Sequence, residues 1–316
     1  MGLLAYGHRA RAPYLDQSVI PQLNAGILKA QQFGKDWYVN SAASSGGDGA
    51  TPDSAKTTLQ AAVDIALAGD RIFVAPGHAE TVTATSIDLN TAGITIVHLG
   101  NGSNTAVYTF GAAAATITVS AANITVIGGR YVANFLDVAS AFTTSTANYF
   151  RLEGGEFEDN SSVLNFLSIV TTGATDNQAD GLQVIGNSWY ALNTSPLAFV
   201  SILAAIAHLH VEGNFVDSAS TADVGHFITF AAKISLGTRI LNNILVVVGS
   251  TGAAVGIFLT GSGTTHTGIV GRNFVSSLDT TAELIATAGT GLVFFENYYT
   301  GTADASGKLW PVVDGA

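Results

Sequence analysis

The sequence predicts an all-β chain wound as a parallel β-helix of about nine coils, with an N-terminal capping helix and an N-terminal arm. One short figure recurs: an alternating strand, a tight turn, and a restart on a bulky apolar residue. It reads Thr125-Val126-Ile127-Gly128-Gly129-Arg130-Tyr131, then Arg151-Leu152-Glu153-Gly154-Gly155-Glu156-Phe157, then Gln183-Val184-Ile185-Gly186-Asn187-Ser188-Trp189. Further copies centre on Asn214, Asn243, Asn273 and Asn297, and weaker ones on Gly77 and Asn101. Taking the second turn residue as marker, successive copies lie 24, 28, 26, 32, 27, 29, 30 and 24 residues apart. A strand–turn unit with one apolar face cannot bury it alone, so a repeat of this length stacks into a solenoid. The drift in period suits a β-helix, in which one corner is constant and the other segments vary in length.

The turn residues agree. Glycine, or asparagine, accepts the left-handed backbone that a tight corner between strands needs. From residue 187 onward the marker is always Asn: Asn187, Asn214, Asn243, Asn273 and Asn297. Stacked at the strand spacing of about 4.8 Å, these predict a ladder of side-chain amide hydrogen bonds. The alternative is five loop asparagines in a turn that tolerates them.

Composition bounds the partners. Charged residues are 11% of the chain and hydrophobic residues 47%, low in charge for a surface that must face water. Long alternating strands so poor in charge are an aggregation hazard unless covered. The expectation is therefore an oligomer, a homotrimer with its uncharged flanks packed together. A net charge of −11 opposes nucleic-acid binding, which needs a basic footprint. No apolar run reaches membrane-spanning length, so no membrane partner is expected. There is no cysteine, hence no disulfide framework and no thiolate metal site.

In chain order, residues 1–36 lack the repeat and read as an arm or docking segment, with a leader lacking fixed structure as the alternative. A short helix is possible over residues 18–32, with Leu23, Ile27 and Leu28 on one face. The body, residues 37–316, opens on a strand around Trp37 and a glycine-rich loop. Leu59, Ala62, Val63, Ala66 and Leu67 then recur at helical spacing behind a capping box at Thr57 and Gln60, and Gly69 ends the helix.

These residues carry a resemblance. Asp36-Trp37-Tyr38-Val39-Asn40, the glycine-rich loop, Lys56-Thr57-Thr58-Leu59-Gln60-Ala61-Ala62-Val63 and Gly69-Asp70-Arg71-Ile72-Phe73-Val74-Ala75-Pro76-Gly77 resemble the N-terminal cap and first coil of the pectate-lyase-like right-handed β-helix superfamily. The match is strong over residues 35–80; beyond them only the architecture matches. It implies a right-handed coil whose open end is plugged by an amphipathic helix. The superfamily holds polysaccharide lyases and hydrolases, and also phage tailspikes, head fibres and decoration proteins, so fold alone does not choose a function.

Within the coils, alternation places Ile94, Ile96 and Leu99 inward with Thr95 and His98 outward, and Leu209 and Val211 inward with His208 and His210 outward. Residues 161–180 read as an insertion between coils, and Trp310-Pro311-Val312-Val313 as a cover for the last coil.

Candidate chemistry is sparse. A calcium-assisted lyase needs gathered carboxylates and a basic residue; Glu153, Glu156, Glu158 and Asp159, with Arg130 and Arg151 one coil apart, are the nearest approach, and Asp176 and Asp180 form a second acidic spot. The competing reading makes Arg151 and Glu153 outward strand charges and Glu158-Asp159-Asn160 a solvated turn. A glycosidase needs two carboxylates across a groove; Glu212 and Asp217 flank one turn, while Asp223, Asp279, Glu283 and Glu296 are scattered. His208 and His210, with His226 or His266, offer imidazoles for a metal but no fixed carboxylate beside them. Tyr190, Tyr298 and Tyr299 are candidates for a sugar-stacking groove, or else for core or trimer packing. No catalytic, cofactor-binding or metal-binding residue is assigned.

The arm and the uncharged coils point to a non-enzymatic phage virion protein. A capsid decoration or cement protein, docked by its arm on the major capsid protein or other virion subunits, is the expectation. A tailspike or secreted polysaccharide-degrading enzyme, or a carbohydrate-binding adhesin, is the alternative.

Overall fold

The computed structural model describes residues 34–192, 198–218, 226–230, 234–247, 259–261, 265–277, 291–300 and 308–310. Residues 1–33 of the arm, with the helix read over 18–32, and residues 311–313 of the cover lie outside them. The fold is an all-β parallel solenoid with three sheets. The first sheet stacks ten strands along its path, from Asp36–Val39 through Arg71–Val74, Thr125–Ile127 and His210–Glu212 to Leu292–Phe295. The second runs from Ala79–Val82 through Arg130–Ala133, Glu156–Asp159 and Ser188–Ala191 to Asn297–Thr300. Each strand pairs in parallel with the one a coil away; Arg151, for example, lies opposite Thr125 on one side and Gln183 on the other. Strand Lys308–Trp310 departs from this, pairing antiparallel with the final strand of the second sheet.

The third sheet corrects two expectations. It holds seven strands, Ile87–Leu89 to Leu259–Gly261, and so spans six turns rather than nine three-sided coils. Residues 161–180 are also not a mere insertion, because Ser168–Thr171 is a strand of that sheet. The signal was missed because Ser168, Ile169 and Val170 are all buried, so the segment lacks the period-2 pattern of a half-exposed strand.

The core is a set of stacked columns. In the first sheet Ile72, Ile96, Val126, Leu152, Val184, Val211, Ile240 and Val270 lie above one another, all buried. Full burial of such a side chain stabilises by about 1.5–3 kcal/mol. The second sheet carries the rings: Tyr108 stacks on Tyr131 at 5.5 Å and Tyr131 on Phe157 at 4.8 Å. Trp189 continues that column opposite Phe157, and Phe199 stacks on Phe227 at 5.2 Å in the third sheet.

The corner between the first and second sheets holds the asparagine ladder. Nδ2 of Asn187 donates to Oδ1 of Asn214 at 3.0 Å, and the links Asn214–Asn243, Asn243–Asn273 and Asn273–Asn297 repeat it at 2.9 Å. Each Oδ1 also accepts the backbone N–H of the preceding ladder residue, as from Asn214 to Asn243 at 3.0 Å. Each Nδ2 reaches back to a strand carbonyl, as from Asn243 to Val211 at 3.0 Å. All five amides are buried. The backbone argument for these positions needs correction, however. The left-handed residue is the one before: Gly186 (φ 63°), Gly213 (66°), Asn242 (56°), Arg272 (56°) and Glu296 (48°). The ladder residues are asparagine for their side chains.

Inward and outward parity also corrects. His98 is buried and Leu99 is 39% exposed, because alternation from Ile96 brings every second residue inward. His208 is not on a strand face at all; it is an exposed corner residue with φ 58°.

The expected capping helix is reduced to five residues, Leu59–Val63, with Thr58 rather than Thr57 as N-cap, accepting from the N–H of Ala61. Leu67, expected on its apolar face, is 68% exposed. Beyond the helix the buried Asp70 carboxylate accepts from Leu67 N (2.8 Å), Lys35 N (2.6 Å) and Trp37 Nε1 (2.7 Å), tying the segment after the helix to the first strand.

Replacing Asn243 with alanine leaves the N–H and amide of Asn214 without their shared acceptor inside the solenoid. The expected loss is about 3 kcal/mol or more, read as an earlier thermal transition by circular dichroism. Asn101→Ala, at an exposed marker with no side-chain cap bond, is expected to shift stability by less than about 0.5 kcal/mol.

Candidate functional site

A solenoid offers its outward columns, and two faces stand out. On the first sheet, Arg151, Gln183, His210 and Arg239 occupy one outward column, in register, while Glu153, Ile185, Glu212 and Leu241 occupy the next. Arg151 Nε donates to Glu153 at 2.9 Å and its Nη1 to Gln183 Oε1 at 3.1 Å. His210 Nε2 donates to Glu212 Oε2 at 2.7 Å, and Asn242 Nδ2 to Glu212 Oε1 at 3.0 Å. The bond from His210, helped by Asn242 and nearby Arg239, holds the Glu212 carboxyl below its ordinary range against a smaller opposing effect of burial. Sequence reading named Glu153 and Glu212 separately but did not place them in one column. Only the strand register does so.

The second sheet turns a different face outward. Arg130 Nε donates to Glu158 at 3.0 Å, and exposed Glu156 lies opposite Arg130 in the ladder. Arg130 and Arg151, expected to stack, stand on different sheets, on either side of the Gly128–Gly129 corner and its successor. Toward the other end of this sheet the column becomes apolar: Phe215, Ile244, Phe274 and Tyr298 follow one another outward, with Tyr190 beside Phe215 at 6.2 Å between ring centres. Tyr190 and Tyr298 are therefore outward residues, not core.

The remaining acids hold backbone. Asp159 is no solvated turn residue: it is buried, and accepts from Phe166 N (3.0 Å) and Leu192 N (2.9 Å), with Trp189 Nε1 at 3.4 Å. Asp176 accepts from Ala205 N at 2.8 Å and Asp180 from Ala207 N at 2.7 Å. Asp217 lies outward on the second sheet and Glu212 on the first, so the pair flanking that turn faces two directions. Glu296 pairs with Arg272 at 2.9 Å. Asp223, Asp279 and Glu283 lie outside the described residues, as do the side chains of His226 and Tyr299.

The histidines do not converge. His266 is buried against Ser235 Oγ at 2.8 Å, and no group of three metal-ligating side chains occurs among the described residues. Also among them, no helix is long and apolar enough to cross a membrane.

A cleft of about 130 Å³ opens at the corner where Gly128, Gly129 and Gly154 stack, with Thr105 and Glu156 at its walls and His98 at its floor. The imidazole is fully committed: Nδ1 donates to Ile127 O at 2.8 Å, so Nε2 accepts from the Tyr108 hydroxyl at 3.0 Å. Burial pushes its pKa down to about 4. One coil earlier His78 accepts from Ser41 N at 2.9 Å and donates to Glu80 at 3.1 Å, and Glu80 accepts from Leu59 N at 2.8 Å. These buried groups fasten the loop and short helix to the first strands.

The topology thus defines the class: a three-sheet parallel β-solenoid. No protein-family model matches the chain, and no curated protein matches it. Among solved structures it is similar to a rhamnogalacturonan lyase, at 10% identity and a TM-score of 0.42, over 86% of this chain and 88% of that one. It is also similar to an endo-xylogalacturonan hydrolase from Aspergillus tubingensis, at 12% identity and 0.29, over 86% and 100%. A lacto-N-biosidase from Eubacterium ramulus gives 11% and 0.26, over 89% and 70%.

His98 has a pH consequence. Its folded pKa lies below its unfolded value of about 6.5, so the unfolded chain binds the proton first. Stability from the neutral imidazole is complete above about pH 6.5 and falls as pH drops toward 4, by about 3 kcal/mol in all. His266, also lowered by burial, adds in the same direction. Denaturation series between pH 7 and 4 are expected to show a shallower slope for His98→Gln than for the unaltered chain.

Proposed function

We propose that this chain is a non-enzymatic structural protein of a bacteriophage particle. On this reading it is a homotrimer that docks by residues 1–36 on the major capsid protein or other virion subunits. The solenoid then lies over the capsid junction as a rigid clamp, a decoration or cement element assembled in the host cytoplasm. The observation that carries the reading is the outward row Phe215, Ile244, Phe274 and Tyr298, apolar side chains held in register on a rigid face. Such a row is unfavourable in water and favourable against another subunit. The division of acids supports it: Asp70, Asp159, Asp176 and Asp180 are spent on backbone N–H groups, which is the chemistry of a stiff rod. Mass spectrometry of purified phage particles from the source culture is expected to find the chain in fixed ratio to the major capsid protein. Removal of residues 1–36 is expected to abolish its incorporation. Particles lacking the chain, or incorporating the truncated form equally, would overturn the reading.

One observation favours a second reading, a tailspike or secreted enzyme that degrades polysaccharide. Glu153 and Glu212 share an outward column two rungs apart. At about 4.8 Å per rung their backbones stand roughly 9.5 Å apart, a spacing from which two carboxyl groups can reach the separation of an inverting glycosidase pair. If this reading holds, Glu153→Gln and Glu212→Gln each lower reducing-end release from an acidic polysaccharide by 100-fold or more while far-UV circular dichroism is unchanged. Absence of release by the unaltered chain across a panel of bacterial capsules would exclude it.

A further inference from the structure

Seven of the fourteen exposed large apolar side chains among the described residues belong to the second sheet and the loops that leave it. Tyr190, Ile244 and Tyr298 stand on the outward face of the second sheet, and Phe135, Leu136, Val163 and Leu192 follow that sheet's strands along its C-terminal margin. The margin is continuous. Asn165 N donates to Phe135 O at 3.2 Å, Leu136 bridges Leu164, and Asn160 Nδ2 donates to Asn134 Oδ1 at 2.9 Å, so successive loops form one ridge. At 40–58% exposure each, these seven side chains present on the order of 700 Å². That exceeds the roughly 300–600 Å² of the largest apolar patch on an ordinary monomer and approaches the roughly 800 Å² per partner of a stable interface.

We propose that this ridge and face form the contact between copies of this chain, with solenoid axes side by side. The inference rests on the assembled, homo-oligomeric reading above and specifies the surface it uses. Two arguments select a second copy as the occupant. The first is electrostatic. Two copies of net charge −11 repel, so they meet where that charge is least. From Ser188 to Tyr298 the two outward columns of the second sheet hold a single charged residue, Asp217, whereas the same coils of the first sheet carry His210, Glu212 and Arg239; the earlier coils of the second sheet carry Glu156 and the Arg130–Glu158 ion pair. The second is geometric. A row of side chains repeating every rung, about 4.8 Å, fits best against a row of the same period. A second solenoid of this sequence offers that period over the whole height of the patch, so its rings seat between those opposite.

The test uses the full chain, whose protomer mass is 32.4 kDa. Light scattering after size exclusion is expected to give a multiple of that mass, and Leu192→Glu combined with Ile244→Glu is expected to give the single protomer with an unchanged far-UV spectrum. A second measurement does not depend on that variant folding. The chain has no cysteine, so Ser188→Cys places one thiol within the outward row and Thr125→Cys one on the outward first sheet. A short bismaleimide is expected to couple protomers through residue 188 and not through residue 125. A protomer mass for the unaltered chain would overturn both this interface and the homo-oligomeric reading. A multimer that the double variant leaves intact, or that couples at 125 and not at 188, would overturn this interface alone.

Discussion

The corner between the first and second sheets is the constraint on which the rest of the solenoid depends. A chain that turns sharply in every coil brings peptide groups into the interior where water cannot reach them, and each must find a partner there. In the later coils the ladder of Asn187, Asn214, Asn243, Asn273 and Asn297 supplies it: the amides of Asn214, Asn243 and Asn273 each use both hydrogens and accept twice on the oxygen. In the earlier coils the same need is met differently. Gly155 N donates to Asn187 Oδ1 at 2.8 Å as the first link, and above it the Tyr131 hydroxyl donates to Gly128 O at 3.1 Å. The choice of glycine there is steric: a Cβ on Gly129 would come within 2.8 Å of the Tyr131 hydroxyl, and one on Gly155 within 3.1 Å of the Phe157 ring. Ring-filled corners need glycine, and amide-filled corners take asparagine.

That corner fixes what the flanking strands can do. With the turn locked, strand register is locked too, and side chains stack by kind: aliphatic inside the first sheet, aromatic inside the second from Tyr108 to Trp189 and aliphatic beyond, ion pairs outside the first sheet and the earlier second, and apolar side chains outside the later second. The order has a cost at the left-handed position. Arg272 and Glu296 hold φ values of 56° and 48°, which carry of order 1 kcal/mol each for a residue with a Cβ. Their mutual ion pair, half exposed on both sides, returns only a fraction of that. The ladder beneath them therefore holds the corner rather than the pair above it.

The first coils are the polar exception to an apolar interior. Asp70, His78, Glu80 and His98 are buried or nearly so, and each bonds to a backbone group from a segment far away in sequence. These carboxylate and imidazole bonds tie Lys35, Ser41 and Leu59 to the first coils by direction as well as by area. The functional surfaces lie elsewhere, on the outward columns, where no such obligation limits the side chain.

How far the sequence alone reaches is clear from particular residues. The repeating corner, the parallel solenoid and the amide ladder at Asn187 through Asn297 were all legible, because a stacked fold writes the same local demand into the chain once per coil. The third-sheet strands, the early end of the helix and the buried places of Asp159 and His98 were not. Their partners, Trp189 and Leu192 for Asp159 and Tyr108 and Ile127 for His98, lie 10 to 33 residues away, and no local pattern encodes them. The same holds for the outward faces. That Glu153 shares a column with Glu212, or Phe215 with Ile244 and Tyr298, depends on loops of unequal length returning each strand to one register. Sequence period determined that the chain coils; only the hydrogen-bonded stacking of one coil on the next decided which side chains became neighbours.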